Sequence, residues 1–354
     1  MSLRVALVGG PMYDHMYRLL RNRGVEVVVH ADHPTLNRTV ADLLAKRERI
    51  DVLSTHSKYA PSQAKWLRPL DGFVSVDGFA PNAVGLCTFK GTLLSIPRCI
   101  DVRVLWTRKD RVDDVPATWE ALEASNISFG FPGRESGLFG TFFEIVTSLG
   151  GRLFDDRARP VIASKEAIRA IEILCAIGSR APSDLPEWHY DQVDAALLDG
   201  RVDAAAAWPG GYGPIRSSAV APQLEPQPYV GGISYAGVHS WAIPTTCSDI
   251  TAARALIAEL TSFEAASLDA SGGNIPARED AARAVKPVDD VDARRLEITR
   301  STIANGMITY PPLERFPEVE DAGWEAINAA LRGTISPERA VDDVQRAAMR
   351  ALRG

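Results

Sequence analysis

Short apolar runs alternate with helical repeats along the first part of the chain. Residues 3–8 and 25–30 are rich in apolar side chains, which predicts two buried strands. Residues 50–54 predict a third strand, and apolar positions three or four residues apart predict a helix over 35–47. The turn Gly9-Gly10-Pro11 leads from the first strand into another helical repeat. This order of elements predicts an α/β fold whose parallel sheet has helices on both faces.

A second α/β unit is predicted further along the chain. The pattern indicates a strand at 127–131, followed by amphipathic helices over 138–149 and 164–175. Residues 204–208 and 238–244 read as two further strands, and helical patterns resume after them. At about 150 residues per domain, a chain of 354 residues is long enough for two such domains.

Composition and charge narrow the class of protein. With 46% hydrophobic and 24% charged residues, the chain has the composition of an ordinary globular protein. It contains no uncharged apolar run of about 18 residues, so no membrane-spanning helix is expected. The net charge of −6 and the scattered basic residues argue against a nucleic-acid partner.

The four cysteines form no CxxC pair and have no histidine at metal-ligand spacing. We therefore expect no metal site and no other cofactor, and each cysteine is expected to be a small buried hydrophobe. The amino terminus lacks the features of a signal peptide. This is expected either of a cytoplasmic protein or of a mature secreted chain whose leader has been removed.

Motifs for catalysis are missing from the sequence. It contains no GxSxG, HExxH, Walker A or GxGxxG pattern. His56 and His239 stand at the ends of predicted strands, where open α/β sheets place ligand contacts. Either histidine could contact a ligand or pack within the protein, whereas His30 and His33 are expected at the surface.

Several aromatic residues follow predicted strands. Tyr13, Tyr59, Trp208 and Tyr212 lie just after strands, and Trp241 lies inside one. An aromatic ring at the end of a strand offers a flat apolar face to a sugar, while neighbouring polar groups bind the hydroxyls. Ordinary packing is the alternative, above all for Trp241.

A series of short segments along the chain carries a resemblance to a known family. The segments are DVLSTH (51–56), GTLLSIP (91–97), DVRVLWTRKD (101–110), PATWEAL (116–122), LDGRVDAA (198–205), GVHSWAIP (237–244) and GGNIPAR (272–278). Taken in order, they resemble motifs of family 1 of the bacterial extracellular solute-binding proteins of ABC importers. The resemblance covers nearly the whole chain and is to the sugar-binding branch that includes the maltose-binding proteins. One segment departs from the family pattern, because Asp203 replaces a small residue.

The resemblance implies an α/β, two-lobed periplasmic-binding-protein fold of the venus-flytrap type II class. Lobe 1 would comprise residues 1–105 and 243–302, and lobe 2 residues 106–242 and 303–354. A solute, expected to be a carbohydrate, would lie in the cleft between the lobes and favour their closure. The protein would be a monomeric, periplasmic or extracellular receptor without catalysis, and its partner a membrane permease. A cytoplasmic metabolite sensor and an enzyme on the same scaffold are the alternatives.

The same resemblance, with the strand-end residues above, indicates where the solute binds. Arg98 and Arg103 can donate paired hydrogen bonds to hydroxyls or to a carboxylate. Asp101 and Glu135 can accept from sugar hydroxyls, or they can be surface charges or members of an ion pair. The full set of expected ligand-binding residues is Gly10, Pro11, Met12, Tyr13, Thr55, His56, Ser57, Tyr59, Arg98, Asp101, Arg103, Glu135, Ser136, Gly137, Phe139, Trp208, Tyr212, His239 and Trp241.

Overall fold

The chain folds into two α/β units, seen in a computed structural model that describes residues 2–353 and only the backbone of Pro11. Unit 1 comprises Met1–Asp101, Gly237–Lys286 and Pro312–Glu314. Unit 2 comprises Val102–Ala236, Pro287–Pro311 and Arg315–Gly354. Each unit is built around its own sheet.

The strands of the described residues are β1 (Arg4–Val8), β2 (Glu26–Ala31), β3 (Val52–His56), β4 (Thr88–Phe89), β5 (Thr92–Leu93), β6 (Ile96–Asp101), β7 (Val104–Arg108), β8 (Phe129–Gly130), β9 (Ala204–Ala207), β10 (Leu224–Gln227), β11 (Ser234–Tyr235), β12 (Gly237–Ala242), β13 (Ile275–Pro276) and β14 (Met307–Ile308).

The α-helices of the described residues are α1 (Asp14–Asn22), α2 (His33–Ala45), α3 (Ala60–Gln63), α4 (Pro81–Leu86), α5 (Trp119–Ala124), α6 (Glu135–Ser148), α7 (Lys165–Gly178), α8 (Tyr190–Leu198), α9 (Tyr212–Ser217), α10 (Ile250–Leu260), α11 (Phe263–Ser271), α12 (Glu279–Ala284), α13 (Asp290–Asn305), α14 (Phe316–Leu331) and α15 (Pro337–Ala351). None of them combines the length and the apolar composition needed to cross a membrane.

Unit 1 contains a six-stranded sheet in the order β13-β6-β12-β3-β1-β2. Strand β1 pairs in parallel with both β2 and β3, which confirms the predicted β-α-β-α-β start. Helix α2 begins after Asp32, whose side chain accepts a hydrogen bond from the Thr35 N–H at 2.9 Å. Its residues Leu36, Val40 and Leu44 are buried at helical spacing, as the pattern predicts.

Strand β12 is inserted between two strands of unit 1. It pairs antiparallel with β3 on one side and with β6 on the other. Its register places His239 opposite His56 of β3, and Gly237 opposite Asp101 of β6. Residues that are far apart in the sequence therefore meet at one end of this sheet.

Unit 2 contains a four-stranded sheet in the order β10-β7-β9-β8. Strands β8 and β9 run parallel, so their carboxyl ends lie at the same edge. Helix α6 begins at Glu135, shortly after β8, and a single turn of 3-10 helix at Pro209–Gly211 follows β9. This edge brings together the segments around Glu135 and Trp208.

The boundaries between the units differ from the predicted lobes. Strand β7 begins at Val104 and pairs with β9 and β10, so residues 102–105 belong to unit 2. Strand β12 pairs with β3 and β6 of unit 1, which places residues 237–242 there. Helix α13 belongs to unit 2, where Arg294 Nε donates to the Pro226 carbonyl at 3.1 Å. Sequence pattern identifies these elements but not the sheet or unit that each one joins.

Gly133 provides a test of the packing of unit 2. A Cβ atom at this position would lie 2.0 Å from the Leu185 carbonyl oxygen, which is backbone and cannot turn away. We expect Gly133→Ala to destabilise the protein by about 1–3 kcal/mol, since overpacking forces backbone shifts. Thermal unfolding checks this prediction, with Gly213→Ala as the control. Gly213 lies in helix α9, where an added Cβ would have nothing within 4 Å, so equal melting temperatures of the two variants would contradict the prediction.

Asp194 of helix α8 makes stability depend on pH. Burial raises the pKa of its carboxyl group to about 7, and the nearby Asp191 shifts it in the same direction. The folded protein therefore holds this proton more tightly than the unfolded chain, where the pKa is near 3.8. This contribution to stability is present at low pH and is lost as the pH rises from about 4 to about 7.

Replacing Asp194 by asparagine removes this titration. We expect Asp194→Asn to match the parent protein near pH 4 and to melt at a higher temperature than the parent at pH 8. Asp199→Asn, at a position just after the same helix, is the control. A difference in melting temperature between Asp194→Asn and its parent that does not change with pH would contradict the assignment.

Candidate functional site

The end of the unit 1 sheet brings together two histidines and a carboxylate. His56 ends β3, Asp101 ends β6 and His239 lies on β12. Asp101 Oδ2 lies 3.2 Å from His239 Nε2 and 3.4 Å from His56 Nε2. All three side chains are buried. The pairing of β12 with β3 and β6 is what places them side by side.

Hydrogen bonds orient each member of this cluster. The Gly237 N–H donates to Asp101 Oδ1 at 2.7 Å, and the Lys58 N–H donates to His56 Nδ1 at 3.2 Å. The Tyr13 hydroxyl lies 2.8 Å from His239 Nδ1. Tyr13 follows β1, so the carboxyl ends of β1 and β3 both contribute to the cluster, as open α/β sheets favour.

The backbone of Gly237 lies directly against the ring of His56. A Cβ at position 237 would be 2.0 Å from His56 Cε1 and 2.4 Å from Nε2. Glycine is therefore required here by close approach, since any side chain would displace the imidazole.

Burial and charge set the protonation of the cluster. Burial lowers the pKa of His56 to about 4, although the Asp101 carboxylate opposes the shift. Burial by itself would raise the pKa of Asp101, but its interactions with His56 and His239 outweigh this effect and hold that pKa well below its usual range. At neutral pH the cluster therefore contains an ionised carboxylate beside an uncharged His56.

His33 belongs to this cluster, so its expected surface position is wrong. Its Nε2 lies 3.0 Å from His239 Nδ1, and its ring centroid is 5.4 Å from that of His56. Burial, followed by the neighbouring histidines, lowers its pKa well below the usual value. His30 is exposed as expected and stacks on Tyr17. The missed signal was that His33 follows β2, whose carboxyl end neighbours that of β1.

Arg98 is bound within unit 1. Its Nε and Nη2 donate to the two carboxylate oxygens of Asp269 at 2.9 and 2.6 Å. Its Nη2 also donates to the Met12 carbonyl at 2.8 Å, and the guanidinium lies 4.1 Å from the centre of the Tyr13 ring. His15 Nε2 is 2.6 Å from the same Asp269. The guanidinium of Arg98, which was expected to bind a solute, thus holds the segment after β1 in place.

Four other expected ligand-binding residues of unit 1 either have structural roles or lie apart from the histidine cluster. Thr55 Oγ1 donates to Gln63 at 2.8 Å, and Ser57 Oγ accepts from the Val238 N–H at 3.1 Å. Trp241 is fully buried in β12, as the packing alternative holds, and Gly10 is exposed. The side chain of Pro11 lies outside the part that the structure describes.

Tyr59 is buried near the histidine cluster. Its ring centroid lies 6.4 Å from that of His56 and 6.3 Å from that of His33. The structure thus brings together five of the expected residues of unit 1, together with the unexpected His33. The five are Tyr13, His56, Tyr59, Asp101 and His239.

Arg103 is engaged within unit 2. It forms a buried ion pair with Glu144, and its Nη1 donates to Thr141 Oγ1 at 3.2 Å. Glu144 also accepts from the Tyr235 N–H at 2.8 Å. The guanidinium lies 5.3 Å from the centre of the Trp208 ring. Arg103 therefore supports an aromatic side chain rather than presenting free donors.

Trp208, at the end of β9, is the centre of an aromatic group. Its ring is edge-on to Tyr190 and Tyr235, with centroids 5.9 and 6.0 Å away. Tyr310 lies 4.7 Å from Tyr235. Trp208 is partly exposed, and within residues 2–353 its buried Nε1 has no hydrogen-bond partner. A partly exposed ring with a spare donor suits a hydroxylated ligand.

The start of helix α6 reaches the same aromatic group through Tyr190. Ser136 Oγ lies 3.3 Å from the Tyr190 hydroxyl. A Cβ at Gly137 would be 2.9 Å from the Tyr190 ring and 2.5 Å from Pro132, so this position also requires glycine. Glu135 has the left-handed φ of 54° and contacts Arg134. Backbone strain of this kind is concentrated at binding sites.

Sequence reasoning missed Tyr190 and Tyr235, because neither directly follows a strand of the predicted sheet. Two expected residues lie elsewhere in unit 2. The Tyr212 ring lies between Trp106 and the guanidinium of Arg295, which is 4.0 Å away. Phe139 is fully buried in the core.

Comparison with solved structures establishes the fold class. The chain is similar to maltose-bound MalE3 of T. maritima, with 21% identity, a TM-score of 0.86 and coverage of 98% and 99% of the two chains. It is also similar to an ABC transporter solute-binding protein of Thermotoga lettingae TMO bound to α-D-tagatose, with 19% identity, a TM-score of 0.87 and 99% of each chain covered. A third is a protein of Agrobacterium radiobacter K84 in complex with ribitol, with 20% identity, a TM-score of 0.86 and coverage of 99% and 98%. The predicted two-lobed periplasmic-binding-protein fold is confirmed.

Sequence comparison agrees with the structural one. The chain is 23% identical over 275 residues to a probable amino-acid ABC transporter periplasmic-binding protein of Sinorhizobium fredii NGR234. The match covers 72% of this chain and 63% of that relative. The family model described as bacterial extracellular solute-binding protein matches residues 21–294. The chain therefore belongs to the bacterial extracellular solute-binding proteins.

Proposed function

We propose that this protein is the solute-binding receptor of an ABC importer and that it captures a sugar or a polyol. It acts in the periplasm or outside the cell, performs no catalysis and delivers its solute to a membrane permease. Two kinds of support exist for this proposal. One is the family, whose members are receptors for solutes, and the other is the arrangement of side chains in each unit.

The observation that carries the proposal is the aromatic group around Trp208. A sugar or polyol presents C–H faces and hydroxyl groups, so it needs a flat apolar surface beside polar atoms. Trp208 supplies the surface and a spare N–H donor, and Tyr190 adds a hydroxyl beside Ser136. The carboxyl ends of β8 and β9 bring these residues to one edge, where α/β sheets bind ligands.

Unit 1 supplies complementary chemistry. An ionised Asp101 accepts hydrogen bonds from hydroxyls, and the histidines around it can donate or accept. We propose that this cluster, like the aromatic group of unit 2, can bind hydroxyl groups of a solute. The similar proteins with bound maltose, tagatose and ribitol support a hydroxylated solute.

A thermal-shift screen tests the class of solute. The protein is unfolded, dialysed and refolded to remove any retained solute, and is then screened against sugars, polyols and amino acids. We expect a sugar or polyol to raise the melting temperature in proportion to the logarithm of its concentration above its Kd. Amino acids are included because the relative from Sinorhizobium fredii is described as an amino-acid receptor. Stabilisation by amino acids alone would contradict the proposed solute class.

Trp208 is then tested with the solute that the screen identifies. We expect Trp208→Ala to weaken binding about tenfold or more, because stacking of this kind contributes about 1 kcal/mol beyond the area that is buried. Isothermal titration calorimetry measures the change. Trp324→Ala is the matched control, since Trp324 is a partly exposed tryptophan of the same unit on helix α14. Equal affinities of the two variants would remove Trp208 from the site.

A further inference from the structure

Asp101 differs from other buried carboxylates of this protein in its partners. The charge of four other buried carboxylates is compensated by arginine side chains. Among the described residues, the close polar partners of Asp101 are His56, His239 and the Gly237 N–H. A buried carboxylate without a cation is costly, so a cation bound at this position would stabilise Asp101. The arginine-paired carboxylates are Asp51, Glu144, Asp269 and Asp292.

The spacing of these side chains suits a metal ion. One ligand atom from each of His56, Asp101 and His239 lies within 4.8 Å of the other two. Ligands at about 2.0–2.2 Å from a tetrahedral Zn²⁺ are about 3.3 Å apart. The distances from Asp101 Oδ2 to the two histidine Nε2 atoms are 3.2 and 3.4 Å. Asp101 is thus already at the spacing of two metal ligands from each histidine.

The outer contacts of His239 and Asp101 also match those of metal sites. A histidine that binds a metal through Nε2 needs a partner for Nδ1, and a ligating carboxylate needs a donor for its other oxygen. His239 Nδ1 has the Tyr13 hydroxyl at 2.8 Å, and Asp101 Oδ1 has the Gly237 N–H at 2.7 Å. The Ser54 hydroxyl, 3.3 Å from that of Tyr13, allows the tyrosine to exchange donor and acceptor roles.

We propose that His56, Asp101 and His239 bind one divalent transition-metal ion and leave a fourth position open. Two imidazoles and a carboxylate are donors that suit Zn²⁺, Fe²⁺, Co²⁺ or Ni²⁺, whereas Mg²⁺ and Ca²⁺ prefer oxygen ligands alone. His33 adjoins this cluster, with its ring centroid 4.8 Å from that of His239. This site departs from the expectation that the protein holds no metal.

A bound metal changes the tautomer of His56. Without a metal, the Lys58 N–H at 3.2 Å from His56 Nδ1 favours the tautomer whose proton lies on Nε2, facing Asp101. When a metal takes that place, the proton moves to Nδ1, and His56 gives up its hydrogen bond from the Lys58 N–H.

Metal titration of the full chain tests the site. The protein is freed of any affinity tag, treated with a chelator and titrated with Zn²⁺ by calorimetry, and Co²⁺ is titrated separately by visible absorption. We expect one equivalent of each metal, and a Co²⁺ spectrum with the strong d–d bands of low coordination number. His239→Gln and His56→Gln should each lower the affinity for Zn²⁺ by more than about 100-fold, a larger loss than is typical for an outer-shell partner.

Two further variants make the test independent of folding defects. Tyr13→Phe removes the hydroxyl beside His239 Nδ1 but leaves His33 Nε2, which lies 3.0 Å from the same atom, so it should lower the affinity about tenfold, the lower end of the range for an outer partner. His30→Ala removes an exposed histidine outside the cluster and should leave Zn²⁺ binding unchanged. Unchanged Zn²⁺ affinity in His239→Gln, or an absence of stoichiometric binding in the folded parent protein, would overturn the proposal.

The proposed metal ligands are also among the groups proposed to bind the solute, so the two proposals are tested separately. Solute titrations are run on both the chelator-treated and the Zn²⁺-loaded protein, and Zn²⁺ titrations without solute report on the metal site alone. A protein that binds Zn²⁺ but no sugar or polyol would refute the proposed function only. A protein that binds such a solute but no metal would refute the metal site only.

Discussion

The insertion of β12 between β3 and β6 is the constraint on which the chemistry of unit 1 depends. The strand enters the sheet only after the whole of the 102–236 segment, and its antiparallel register fixes which side chains become neighbours. A shift of one residue would turn His239 to the opposite face of the sheet. The cluster of His56, Asp101 and His239 is therefore a product of strand register rather than of local sequence.

Buried charges in β6 and just after it are compensated in two different ways. Arg98 and Arg103 lie on either side of Asp101 in the sequence, and each is closed into an ion pair within its own unit. Breaking such a pair is costly, because it leaves a buried charge without a partner. These arginines hold Tyr13 and Trp208 in place through their planar faces. Asp101 faces histidines instead.

Much of the fold could be predicted from the sequence. The parallel start of unit 1 follows from short apolar runs and helical repeats, and the Thr118 side chain caps α5 as its type suggests. The Gly- and Pro-rich region after Trp208 contains helix α9 and strand β10, because pairing with β7 orders a segment that composition alone marks as loop. The sheet that β7 or β12 joins depends on strands that are distant in the sequence, so the unit boundaries could not be predicted.

The candidate site was predicted in part, for a related reason. Residues at the ends of strands, such as Tyr13, His56 and Trp208, were identifiable because parallel strands expose their carboxyl ends at one edge. His33 and Tyr190 begin helices, and only the tertiary structure shows that they reach the same places. Whether an arginine faces a solute or a carboxylate depends on partners such as Asp269 and Glu144, which lie far away in the chain.

The contact between Gly237 and His56 has a consequence for how the sequence can vary. Space that glycine leaves empty is filled by the imidazole, so the two positions share one volume. A side chain can enter at 237 only if the residue at 56 becomes smaller at the same time. Among descendants of this chain, the two positions should therefore change together, and a variant library that randomises one of them alone should return mostly the parent residue.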